Sequence, residues 1–293
     1  MSRAVAAVVL ATLVAGPGAA TAEDGAARPR FEAWLGGSLT DPALSTTYET
    51  RYSPTFGLGS VDSTAGQSLT VRGDRAFGGE LGLGWSPDGR WGFQLSAARA
   101  AGDLSGTNAP YSWSARIVTL PPPDYVPQTF EAAQTFDWPD TEGRLRVLTL
   151  AIGVSRRWEG RRVGGGLSAG AALLRASGEV RSLGFTAFHL GGHSTFFSQE
   201  FEVEATLDPS SVAAFHAGAD IDVALAPSWR LRLGYRYVRA SEASLTPRVT
   251  RVVNAGEILL DEPLSRIESD LALKPFRLDL SSSRLLLSLV FSR

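Results

Sequence analysis

The chain has no cysteine, one methionine and, at Lys274, a single lysine among 293 residues. Without cysteine there is no disulfide framework and no thiol chemistry. No segment approaches the roughly 18 consecutive apolar residues of a spanning helix, which excludes a helical inner-membrane protein. Neither sign of charge dominates. Twenty-eight basic and 30 acidic residues leave a formal net charge of −2, without the basic excess that a nucleic-acid partner demands. Histidine is scarce too, at positions 189, 193 and 216 only.

The first 22 residues read as a cleaved secretory signal peptide. Met1-Ser2-Arg3 is a short basic region, Ala4 to Ala15 an apolar one, and Ala20-Thr21-Ala22 an A-x-A cleavage site. The remainder, 23–293, reads as one all-β domain.

Period-2 alternation marks eight segments, about 30–39, 76–86, 91–101, 144–158, 162–176, 211–225, 229–240 and 276–292. Each is long enough for the roughly 9–11 residues of a tilted strand crossing a bilayer. Short connections built on Pro-Asp-Gly, Glu-Gly and Ala-Pro-Ser alternate with long ones over about 41–75, 102–143, 177–210 and 241–275. That alternation predicts an antiparallel up-and-down transmembrane β-barrel with tight periplasmic turns and long extracellular loops. Within the loops, Phe201, Val203, Ala205 and Leu207 alternate with Glu200, Glu202 and Glu204, and Trp113, Ala115, Ile117 and Thr119 alternate similarly. These read as strands continuing past the membrane in protruding hairpins. The alternative makes them extra spanning strands, ten or twelve in all.

Aromatic residues cluster beside the short turns. Phe31, Trp85, Trp91, Trp158, Trp229 and Phe291 all fall on the apolar face of their strands, as an interfacial girdle at the periplasmic side requires. The opposite face carries Glu32, Glu80, His216, Asp220, Asp222, Arg230, Arg232, Arg236 and Arg284. Eight strands enclose a lumen just wide enough to be filled by side chains, so these charges are expected to pair and plug it. The turn between strands six and seven sets Asp222 opposite Arg232, with Asp220 and Arg236 nearby. Gly164, Gly166, Ser168 and Gly170 leave room for arginine heads. The same charges also admit a narrow ion path.

Enzymatic readings are weak. His193 adjoins Ser194, but neighbours on an extended chain point to opposite faces, and no G-x-S-x-G elbow occurs. His189 and His193 would share a metal only on a helix, which Gly191-Gly192 disfavours. The expectation is no catalytic residue, metal or cofactor.

The terminal run, in which Leu285, Leu287, Leu289 and Phe291 alternate with Leu286, Ser288 and Val290, resembles the targeting strand of bacterial outer-membrane proteins. That pattern usually ends on the aromatic; here Ser292 and Arg293 follow. With the signal peptide and the connection pattern, the chain resembles the small eight-stranded outer-membrane barrels of the OmpX, OmpA-barrel and opacity-protein type. The resemblance implies outer-membrane location, contact with membrane lipid and lipopolysaccharide, and recognition by the barrel-assembly machinery. It also implies a non-enzymatic structural or surface role in which loops meet an extracellular protein or glycan. The loops offer Tyr48, Tyr52, Tyr111, Trp113, Phe130, Phe136 and Trp138 as exposed aromatics for such contacts, or as a mutually packed cap. A narrow channel for small solutes or apolar compounds, of OmpW type, and a lipid-modifying enzyme are the alternatives.

Overall fold

The structure is a computed structural model that describes residues 29–42, 45–52, 61–119, 128–160, 162–191, 195–253 and 273–293. The expected signal peptide therefore lies outside the described residues. So do the Pro-rich stretch 120–127, His193 and Ser194, and the side chains of His189, Tyr48, Tyr52, Phe130 and Phe136.

The described residues form fifteen strands: β1 (Arg30–Pro42), β2 (Ser45–Tyr52), β3 (Val61–Gly73), β4 (Ala76–Ser86), β5 (Trp91–Asn108), β6 (Tyr111–Thr119), β7 (Gln128–Phe136), β8 (Thr141–Glu159), β9 (Val163–Gly191), β10 (Thr195–Ala226), β11 (Trp229–Ala240), β12 (Glu242–Leu245), β13 (Pro247–Val253), β14 (Phe276–Asp279) and β15 (Ser282–Ser292). Eight of them close a ring of antiparallel neighbours, β1-β4-β5-β8-β9-β10-β11-β15 and back to β1. Each spanning segment read from the sequence falls on one ring strand, except the last. There the chain breaks at Leu280-Ser281, where Asp279 Oδ1 accepts the Ser281 N–H at 2.8 Å, so 276–292 is two strands and not one.

The register fixes the stagger. A row of paired residues starting at Arg146 runs through Ala101, Phe77, Leu39, Leu285, Tyr235, Ala219 and Leu167. It returns to β8 at Arg156, ten residues below its start. A shear of ten over eight strands goes with the tilt of about 35–45° usual for such barrels.

Tight turns join β4–β5, β8–β9 and β10–β11. In the first, Gly89 takes φ 68°, a conformation open to residues without a Cβ. Asp88 Oδ1 accepts the N–H groups of Trp91 (2.7 Å) and Arg90 (2.8 Å), and Ser86 Oγ donates to the Trp91 carbonyl at 2.6 Å. Those N–H groups, Trp91 first, hold the Asp88 carboxyl below its ordinary range.

At the other end the chain does not dissolve into loops. β9 and β10 run 29 and 32 residues, about three times a bilayer crossing, and stay paired to Thr195–Gly191. β13 takes the place of β11 beside β10, β3 joins β5 and β6, and β12 pairs β14. Phe201–Leu207 is thus a continuation of β10, whereas Trp113–Thr119 lies on a separate strand, β6, beyond a break at Ala109-Pro110; neither stretch enters the eight-stranded ring.

A charge-filled lumen under an apolar cap

The ring sorts side chains by parity. Outward lie Leu81, Leu83, Leu95, Leu150, Ile152, Ile221, Leu233 and Leu287, each 47–62% exposed. An apolar belt of this size on a folded protein needs lipid around it. At the turn end Phe31, Trp85, Trp91, Trp158 and Trp229 are 43–54% exposed, and the half-buried Phe291 stacks edge-on against Trp229 at 5.3 Å. Leu285, Leu287 and Leu289 face outward on the closing strand.

Inward the same strands bury Glu32, Glu80, His216, Asp222, Arg232, Arg236 and Arg284, with Asp220 and Arg230 partly buried. All nine lumen residues named from the sequence share this interior. Their pairing differs from the expectation in three respects. Asp222 does stand opposite Arg232 in register, but the ion pair is loose at 3.8 Å. The tighter partner of both aspartates is Arg157, whose Nη2 donates to Asp220 Oδ1 and Asp222 Oδ2 at 2.9 Å each. Arg236 binds Glu80 (2.9 Å) and not Asp220.

Arg157 belongs to a lower layer completed by two further residues, Arg30 and Glu159, that the sequence reading passed over. Glu32 gathers Arg232 (2.7 Å), Arg30 (3.0 Å) and Arg157 (3.4 Å). Glu159 contacts Arg30 and lies 3.6 Å from Arg230, which is also 3.6 Å from Asp222. Above this layer Trp34, a fourth residue passed over, donates its indole N–H to Glu80 Oε1 at 3.1 Å, and Arg232 lies 5.7 Å over its ring.

Glycine makes the space. A Cβ at Gly82 would collide with the Trp34 ring. One at Gly164 would come within 3.0 Å of Arg230 Nη1, and one at Gly166 within 3.1 Å of Arg157 Nη1. One at Gly170 would lie 2.9 Å from His216 Nε2. His216 thus sits in a slot between Gly153 and Gly170 with neither ring nitrogen hydrogen-bonded. Among the described residues no group of three His, Asp or Glu could hold a metal ion.

Higher up the inward face turns apolar. On β8 Arg157, Ser155 and Gly153 give way to Ala151, Thr149, Val147 and Leu145. On β9 Gly164, Gly166 and Ser168 give way to Ala172, Leu174 and Ala176. This surface is continuous with one core made by the extensions, including Tyr111, Leu183, Phe201, Val203, Leu245 and Leu278, each at most 1% exposed. Tyr111 and Trp113 (6%) are buried, and Trp138 is half-buried and packs on Tyr111 at 5.4 Å. These three are therefore not surface aromatics. They cap the barrel.

A closed eight-stranded ring, lipid-facing outside and charged inside, has one reading. The fold is that of a small bacterial outer-membrane barrel. No protein-family model matches the chain, and no curated protein matches it. Among solved structures, the barrel is similar to the outer membrane protein OprG of Pseudomonas aeruginosa, at 10% identity over 92% of this chain and 98% of that one, TM-score 0.43. It is similar to Ail, the attachment invasion locus protein of Yersinia pestis, at 10% identity over 91% and 99%, TM-score 0.37. It is also similar to the outer membrane protease OmpT of Escherichia coli, at 7% identity over 94% and 99%, TM-score 0.38.

Proposed function

We propose that this outer-membrane barrel is a non-enzymatic surface protein, in which a sealed membrane anchor presents a folded extracellular unit to protein or glycan partners. One observation carries the reading: the apolar core of the extensions continues into the upper lumen, so barrel and outer unit share one packed interior. A transport path would need a continuous opening. Among the described residues the charged layers hold a cavity of about 30 Å³ beside Trp34, Glu80, Arg232 and Arg236, room for two or three waters. The alternatives, a narrow channel for small solutes or apolar compounds and a lipid-modifying enzyme, gain nothing comparable.

Lipopolysaccharide is the membrane partner that the outer surface suits. At the loop end of the apolar belt, Arg75, Arg99, Arg146, Arg175 and Arg239 are exposed. In register Leu148 lies between Arg99 and Arg175, and Arg146 lies one outward step above it between Ala101 and Ser177. Acids enter only in the next row, where Arg144 stands between Asp103 and Glu179. Arginines at headgroup level match the phosphates of an anionic leaflet. The outward Leu285, Leu287, Leu289 and Phe291 are the residues that we assign to recognition by the barrel-assembly machinery.

Planar-bilayer recording of the refolded chain tests the sealed anchor. The expected result is a silent membrane; steady openings in most insertions would replace this reading with the channel.

A further inference from the structure

We infer that Arg284, Thr40 and Ser282 form a binding site for a small monovalent anion of halide size, where the charged lumen meets the apolar cap. Arg284 on β15 is 3% exposed, and among the described residues its side chain makes one hydrogen bond, from Nη2 to Thr149 Oγ1 at 2.8 Å. Its Nε has no partner. Thr40 on β1 and Ser282 on β15 are 6% and 5% exposed, and their hydroxyls have no partner either. All three residues line one cavity of about 40 Å³, whose remaining walls are largely apolar, with Leu104, Leu145, Val147 and Leu280 among them.

Charge decides what would enter. Arg30, Arg157, Arg230, Arg232 and Arg236 each have a carboxylate within 4 Å. Arg284 has none among the described residues. Its neighbour Glu80 already serves Arg236 and Trp34. Asp74, Asp103 and Asp279 also border the cavity, but their side chains are exposed, where water and salt screen them. A guanidinium buried without a counter-charge is costly, and an anion accepting from Nε and the two hydroxyls removes that cost in a setting of low dielectric. The guanidinium repels a cation from the same spot. The volume, about three water-sized spheres, suits chloride or bromide and excludes polyphosphates and lipid tails.

The test is the temperature at which the SDS-resistant form of the full, detergent-refolded chain is lost. It is measured against bromide concentration, with gluconate holding ionic strength constant. A saturable rise is expected for the native chain. In Arg284→Met the rise is lost whatever that variant's own starting temperature. Should Arg284→Met fail to fold, the Thr40→Val, Ser282→Ala double variant keeps the guanidinium. It is expected to need at least tenfold more bromide for half the rise. Anomalous scattering from bromide should place the ion beside Arg284. No difference between bromide and gluconate in the native chain would overturn the inference and leave the cavity to water. So would a full rise in Arg284→Met or in the double variant.

Discussion

Glu32 holds three guanidiniums at once, from Arg232, Arg30 and Arg157, and removing its charge takes one partner from each, leaving Arg157 and Arg232 to Asp220 and Asp222 and Arg30 to Glu159. Glu32→Gln keeps shape and volume, so its effect reports charge. Breaking a buried pair on one side costs about 3–5 kcal/mol, and the expected outcome is a clearly lower loss temperature for the SDS-resistant form. Glu32→Gln combined with Arg232→Met should recover part of the loss, because the layer then loses one cation together with one anion. At this scale the sequence told which face a residue occupies. Parity with the outward Trp158 places Arg157 and Glu159 inside, and parity with Phe31 places Arg30 and Trp34 inside, so the signal for all four was present. What alternation does not contain is the partner. Arg157 reaches Asp220 over Gly166 of the intervening β9, in one register row, and a period of two is silent about how β9 and β10, joined by a long connection, are set in register.

The extensions beyond the membrane behave as elements with a core of their own. Phe201 is fully buried beside Val203 and Leu183, and Phe201→Ala is expected to cost about 3–5 kcal/mol there. The charged ring, some 20 residues further along β10, is built from other contacts. Limited proteolysis of the refolded variant should therefore cut within β6, β7 and the far ends of β9 and β10, while the remaining barrel still shifts mobility on boiling. Cleavage equal to that of the native chain would mean that Phe201 does not hold the cap. These strands were legible from the alternation at Trp113–Thr119 and Phe201–Leu207. The burial of Tyr111 and Trp113 was not, because an apolar strand face does not say whether it meets another sheet or a partner. Here the facing surface comes from β9 and β10, some 70 to 90 residues away. The break at Leu280-Ser281 escaped for a similar reason. The inward face keeps even parity on both flanks although the apolar residues move from even positions (Phe276, Leu278, Leu280) to odd ones (Leu285, Leu287, Leu289), and the partner shifts from β12 to β1 and β11.

Seen whole, the molecule is polarised along the membrane normal: tryptophans ring the turn end, arginines the loop end, and charged and apolar interiors stack between them. The indole belt suits the glycerol region of a phospholipid leaflet, and the arginine belt an outer leaflet dense in phosphate. Arg99, Arg146 and Arg175 lie within three adjacent strands about 4.8 Å apart, close enough for one phosphorylated headgroup to meet more than one of them. Replacing all three by glutamine removes charge but keeps length and hydrogen-bonding capacity. At about 1 kcal/mol per arginine near an anionic surface, the triple variant should bind lipopolysaccharide roughly a hundredfold more weakly. Its fold should be unchanged, since none of the three reaches the lumen. The measurement is the rise in loss temperature of the SDS-resistant form on adding lipopolysaccharide, run beside its dephosphorylated counterpart. The native chain should respond to the first and much less to the second, and the triple variant weakly to both. Equal responses of native and triple-variant protein would remove these arginines from lipid recognition and leave the belt as a solvated rim.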